Sequence, residues 1–269
     1  MKIGLALGSG GAKGFAHIAY LEVLDELGIP VNALAGTSMG AFIGAYYAGG
    51  MTGKELHALA KRFTLHDFTK VFDLNRLRSP GLIRGRKIEK FLRDTLPVQR
   101  FEDLKIPLKI VAADYWNKEE HVFQKGDLVP AIRASISIPG LFQPYEYRET
   151  LYIDGGVINP VPFDLLIGKN DFIIGIDASG DEVILRKKPP HALQMLHDTF
   201  IIMQKEIIRH REINHPIDIY CKPNLSGFRI LEFHKAEEII ISVKNDVEQF
   251  RKELIWKGLP APKETPVKL

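Results

Sequence analysis

"KIGLALGSGGAKGFAHIAYLEVLDELGIPVNALAGTSMG", residues 2–40, holds two apolar runs that each end in a glycine cluster, with a helical stretch between them. Residues 2 to 7 read as a buried strand. Residues 15 to 28 place Ile18, Leu21 and Leu24 at helical spacing and close on Gly28, and residues 31 to 36 return as a strand. Two strands joined by one helix of this length form a βαβ unit whose strands run parallel. The alternation continues along the chain. Helices are predicted at about 39 to 49, 53 to 63, 85 to 95 and 127 to 135, and strands at 108 to 115, 151 to 154 and 171 to 178, with a short hairpin through "EEHVFQKGD". A long amphipathic helix over 191 to 212, a strand at 217 to 221 and a helix at 235 to 255 complete the reading. The expected fold class is α/β, three layers as α/β/α on a mostly parallel central sheet, in one domain over 1–258. Residues 64 to 85 have weak periodicity and a Ser-Pro-Gly break, so they read as an irregular covering segment. The Pro-rich residues 259–269 are expected to be a loose tail.

The gross composition limits the available functions. The 269 residues are 45% hydrophobic and 26% charged, as in an ordinary globular chain. Lys and Arg number 36 against 33 Asp and Glu, and a net charge of +3 is too balanced to argue for nucleic acid. The single cysteine, Cys221, excludes an internal disulfide framework and a cysteine-rich metal cluster, and fits a small buried hydrophobe. The N-terminal apolar stretch is shorter than a signal peptide's, and no segment approaches the ~20 residues of a transmembrane helix. The expectation is a cytoplasmic protein, with peripheral contact at a membrane surface as the most it would make.

In an open α/β sheet, ligands and reacting groups gather at the carboxyl ends of strands, where both glycine clusters fall. Gly36-Thr37-Ser38-Met39-Gly40 is a GxSxG between a strand and a helix of small residues, the setting of a nucleophile elbow. Gly36 and Gly40 would let helix and strand approach closely while Ser38 is exposed. The same pattern also describes a plain glycine-rich turn. "GSGGAKG", residues 8 to 14, fails as a Walker loop, because Lys13 precedes Gly14 and Phe15 follows. A dinucleotide fingerprint expects a carboxylate at the end of the second strand, and "AGTSMG" has none. The amides of Gly10, Gly11 and Ala12, at the positive end of a helix, could instead bind the oxyanion formed when a nucleophile attacks an ester carbonyl.

A serine nucleophile needs a base. None of the nine histidines sits in a glycine-rich turn after a strand. "LYIDGGVINPVP", 151 to 162, ends a strand in Asp154 followed by Gly155 and Gly156, which would bring a carboxylate out at the strand's carboxyl edge. An Asp-Gly turn closing a hairpin is the plainer reading of those three residues.

Residues 5 to 45, from "LALGSGGAKGFAHIAYLEVLDELGIPVNALAGTSMGAFIGA", resemble the opening of the patatin-like phospholipase family of the bacterial single-domain type. "DGG" at 154 to 156 is similar to that family's second catalytic motif, and "IRASISIPGLFQP" (132 to 144) to the segment before it. The likeness runs from about residue 3 to 180. It implies a hydrolase of lipid acyl esters working through a Ser-Asp dyad, with no metal, no cofactor and no catalytic histidine. Ser38 would be the nucleophile, Asp154 the general base, and Gly10 and Gly11 the oxyanion donors, with Lys13 beside the loop. Ser9 departs from the family pattern, in which another glycine is common.

Ile138, Leu141, Phe142, Phe68, Phe72 and Leu74 could line an acyl slot or could be plain core. The helix over 191 to 212 has an apolar face and a basic end, which suits packing on the sheet and also an anionic membrane. Three classes of function stay open. A serine acyl hydrolase would take a fluorophosphonate at Ser38, a nucleotide-binding enzyme would be stabilised by nucleotide, and a non-catalytic lipid-binding protein would do neither. The oligomeric state is not readable.

Overall fold

The computed structural model describes residues 1–62, 83–180 and 192–259. Phe68, Phe72 and Leu74, the covering segment up to residue 82, and residues 260–269 of the expected tail lie outside them. The opening βαβ unit forms as predicted. Strand β1 (Ile3–Leu7), helix α1 (Ala16–Glu26) and strand β2 (Val31–Thr37) are followed at once by α2 (Met39–Ala48). Ile18, Leu21 and Leu24 are all buried, so the helical spacing marks the packed face of α1.

The further elements are α3 (Gly53–Lys61), α4 (Arg86–Thr95), β3 (Leu108–Asp114), β4 (Glu119–Phe123) and α5 (Leu128–Ser135). They are followed by β5 (Tyr145–Tyr147), β6 (Thr150–Asp154), β7 (Phe172–Ile176), α6 (Ala192–Asn214) and β8 (Ile219–Cys221). Helices α7 (Ala236–Ser242) and α8 (Lys244–Trp256) end the described chain.

Among the described residues, eight strands make one sheet in the order β5-β6-β3-β2-β1-β7-β8, with β4 also paired to β3. The pairings from β3 through β2, β1 and β7 to β8 are parallel, and those of β4, β5 and β6 are antiparallel. The sheet is therefore parallel in its centre and mixed overall. Alternation along β1 divides the core between its faces. Ile3, Leu5 and Leu7 join the large cluster formed with α1, α2, α7 and α8, while Ala6 joins a smaller one with Val161, Phe163, Ile173 and Ile208 of α6. Helices on both faces make the three layers.

Three local expectations are corrected, and one hairpin forms that the sequence reading does not include. The "EEHVFQKGD" stretch supplies one strand, which pairs back on β3 across residues 115–118, rather than a hairpin of its own. The β5–β6 hairpin turns at Arg148 and Glu149, both in the left-handed region at φ 49 and 63, where a two-residue hairpin usually carries Asn-Gly. The predicted helix over 235 to 255 is two helices broken at buried Val243. Leu259, assigned to the loose tail, is packed in the large core.

Candidate active site

Strand β3 brings the two candidate residues together. Thr37 is opposite Val111 and Asp154 opposite Ala112, while β4 fills the other edge of β3 at both positions. Strands β2 and β6 thus share one edge of β3, one parallel and one antiparallel to it, and their carboxyl ends meet head-on. Ser38 Oγ donates to Asp154 Oδ2 at 2.6 Å across that junction, and both residues are buried. The other oxygen, Asp154 Oδ1, accepts the Gly156 N–H at 2.7 Å.

Ser38 has φ 56 and ψ −120, a conformation that a non-glycine residue adopts only when its surroundings hold it there. Close approach of α2 to β1 is one reason it is held. A Cβ on Gly40 would stand 2.0 Å from the Leu7 carbonyl oxygen, and one on Gly36 would meet Ala41 N and Gly40 O at 2.7 Å. The two outer glycines of the GxSxG motif are needed for contact, as the spacing predicted.

The glycine loop lies beside this elbow because β1 pairs with β2 up to Leu7 and Gly36. Among the described residues, no acceptor bonds the amides of Gly10 or Gly11. The Ala12 amide is different: it donates to the Ile230 carbonyl at 2.8 Å, so this member of the predicted donor set is already committed to a backbone partner. Lys13 is buried, and its ammonium donates to Ser179 O at 3.2 Å, which braces the loop against the segment following β7. The departure at Ser9 has a structural use. Its hydroxyl accepts from Gln204 Nε2 at 3.3 Å, and the same amide donates to Gly156 O at 3.0 Å, so α6 ties the glycine loop to the Asp-Gly-Gly turn.

Electrostatics follow from burial. Desolvation raises the Asp154 carboxyl to about 7, against the pull of the Ser38 hydroxyl and the Gly156 amide, which favour the ionised form. Burial lowers His17 to about 4, with the Gly8 carbonyl and the Asp177 charge opposing. His17 is therefore neutral near pH 7, and its Nε2–H donates to Gly8 O at 2.9 Å, holding the end of β1. Among the described residues, no histidine bonds Ser38 or Asp154 and no cluster of three metal-ligating side chains occurs. Cys221 is buried in β8, as expected for a small hydrophobe. Phe142, a candidate for the acyl slot, is buried in the core, whereas Ile138 and Leu141 are only partly so.

Sequence reasoning missed Ser135, which bonds the Ser38 amide, and Gln204. Gln204 left a faint trace, a lone amide on the apolar face of "FIIMQKEII".

Fold and site together define an α/β protein with a serine on a nucleophile elbow and a carboxylate as that serine's partner. The sequence profile described as patatin-like phospholipase matches residues 5–167, and the chain belongs to that family. An uncharacterized NTE family protein of Mycobacterium tuberculosis is 38% identical over 182 residues, covering 67% of this chain and 50% of its own. A protein named lysophospholipase nte1, from Neosartorya fischeri, is 28% identical over 292 residues, covering 98% of this chain and 19% of its own. The chain thus spans half or less of the length of these relatives. The crystal structure of VipD from Legionella pneumophila shares the fold, with a TM-score of 0.50 at 12% identity over 92% of this chain and 66% of that one.

Proposed function

We propose that this protein is a serine hydrolase of lipid acyl esters, with Ser38 as nucleophile and Asp154 as its only base. The observation that carries the reading is the 2.6 Å bond from Ser38 Oγ to a buried carboxylate whose other oxygen is held by a backbone amide. In the first half-reaction, Asp154 takes the hydroxyl proton as Oγ attacks the ester carbonyl carbon. The Gly10 and Gly11 amides receive the developing oxyanion. Collapse of the tetrahedral intermediate breaks the bond to the alcohol, which leaves with the proton from Asp154, and the acyl group stays on Ser38. Ionised Asp154 then takes a proton from water as that water attacks the acyl-serine. Collapse releases the fatty acid and returns the proton to Ser38.

Lipid is the substrate class favoured by the family and by the lysophospholipase among the relatives. No helix of the described residues is long and apolar enough to cross a membrane. Helix α6 nevertheless exposes Ile202 (62%) and Met203 (56%) immediately before Gln204, which touches both catalytic loops. Those side chains support contact with the surface of an aggregated lipid. The experiment is incubation of purified protein with phospholipid and lysophospholipid vesicles and a mixed lipid extract, with mass analysis of released fatty acid and fluorophosphonate labelling of Ser38. Fatty acid release and a labelled Ser38 are expected. An unlabelled, inert protein would refute the reading.

The pH dependence has a defined sign. Asp154 must be ionised to act as base, so kcat/KM is expected to rise with pH through about 7 and then level off. Stability moves the other way. A carboxyl at 3.8 when unfolded and about 7 when folded stabilises the fold fully below pH 3.8 and loses that contribution as pH rises through 7. Asp154→Asn is therefore expected to melt above the wild type at pH 8, with the difference shrinking toward pH 4. Thermal melts at the two pH values check this.

A further inference from the structure

The end of helix α5 and the two residues after it read Arg133-Ala-Ser135-Ile-Ser137, and the mechanism above uses none of these residues. All three polar side chains are buried, Arg133 at 1% exposure. Ser135 Oγ accepts the Ser38 N–H at 2.8 Å and donates to Val111 O at 2.6 Å. The Ser38 amide lies beyond the end of β2, past the last ladder pair at Thr37, so it has no strand partner. Two residues on, the Ser137 carbonyl accepts the Asp154 N–H at 3.0 Å. One short segment therefore holds the backbone of the nucleophile and the backbone of the base.

Arg133 fixes that segment in place. Its Nη1 donates to Ser137 Oγ at 2.7 Å, and Nη2 donates to the carbonyls of Arg84 at 3.0 Å and Gln143 at 3.3 Å. Its guanidinium lies 5.2 Å from the Phe142 ring centre and 5.3 Å from that of Tyr145. No carboxylate of the described residues pairs with it. The two Nη atoms of this buried cation are held by carbonyls and a hydroxyl between two ring faces, while Nε bonds no acceptor among the described residues, so the directions of the guanidinium fork are set by its Nη contacts.

Resting on the dyad reading, we infer that Ser135 is a positioning residue for the reaction: its hydroxyl bridge from Val111 holds Ser38 at φ 56, and Arg133 and Ser137 set Asp154 against it. Removing the bridge leaves a buried amide and a buried carbonyl unpaired beside a strained residue, and the elbow relaxes away from Asp154. A misplacement of about 1 Å at a reacting group lowers turnover by on the order of 10²-fold.

The test compares wild type, Ser135→Ala, Ser135→Thr and Ser38→Ala on a short-chain soluble ester, with folded fraction measured by circular dichroism. Ser135→Ala is expected to lower kcat by roughly 10- to 100-fold, leave KM within about 2-fold, and slow fluorophosphonate labelling per folded molecule by the same factor as kcat. Ser135→Thr, which keeps the hydroxyl, is expected to recover most of the rate; if Ser135→Ala does not fold, the Arg133→Lys variant is read by the same kcat and labelling criteria. A Ser135→Ala protein with wild-type kcat and labelling rate, beside an inert Ser38→Ala, overturns the positioning role and leaves the dyad standing. So does a change confined to KM or to the folded fraction. Full activity in Ser38→Ala would instead remove the dyad on which the inference rests.

Discussion

Ser38→Ala and Asp154→Asn are each expected to lose ester hydrolysis by on the order of 10⁴-fold or more in kcat while remaining folded. Ser38→Ala removes only the hydroxyl oxygen from a buried position. Asp154→Asn keeps nearly the same volume, and its amide oxygen can still accept the Gly156 N–H that now bonds Oδ1. What the amide lacks is a lone pair basic enough to take the proton of Ser38, so the bond now seen at 2.6 Å would hold geometry without chemistry. Initial rates at pH 8 on a soluble ester, with thermal melts of each variant, make the measurement. Residual activity above a tenth of wild type in either variant would contradict the dyad. His210, His215 and His234 are the controls, since none of them bonds Ser38 or Asp154 in the described structure. Their replacement is expected to change kcat by only a few fold, whereas loss of a triad histidine removes about as much as loss of the serine.

Gly11→Ala carries the second large effect, an expected fall of ~10²- to 10³-fold in kcat. Gly11 sits at φ +55, and a Cβ there would stand 2.5 Å from the Ile230 carbonyl oxygen. That carbonyl is the partner of the Ala12 amide, so relieving the clash shifts the loop and its donor amides together. Gly227→Ala is the matched control, because a Cβ at that glycine meets nothing within 4 Å. If Gly11→Ala turns over like the control, the loop is a turn and the oxyanion is held elsewhere.

Much of this architecture is legible in short stretches of sequence. The βαβ unit, the elbow at Ser38 and the turn after Asp154 each depend on signals that neighbours in the chain supply: apolar spacing, a closing glycine, small residues on both sides of a reactive one. The β5–β6 hairpin was not legible, since Arg148 and Glu149 take left-handed conformations with neither glycine nor asparagine to announce them. Nor was the break at Val243, a buried residue with no helix-stopping chemistry of its own.

By itself the sequence determined the strand-helix-strand opening and which residue types could react, because those properties belong to local backbone preference and to side-chain chemistry. Only the tertiary structure decided how they meet. Residues 38 and 154 become partners because β2 and β6 end against adjacent residues of β3, a register that no local signal in either strand contains. The Ala12 amide is withdrawn by Ile230, and the elbow amide is held by Ser135, both across long separations in the chain. The Asp154 carboxyl becomes basic because packing from many elements removes water from around it, and desolvation is a property of the assembled core rather than of any segment.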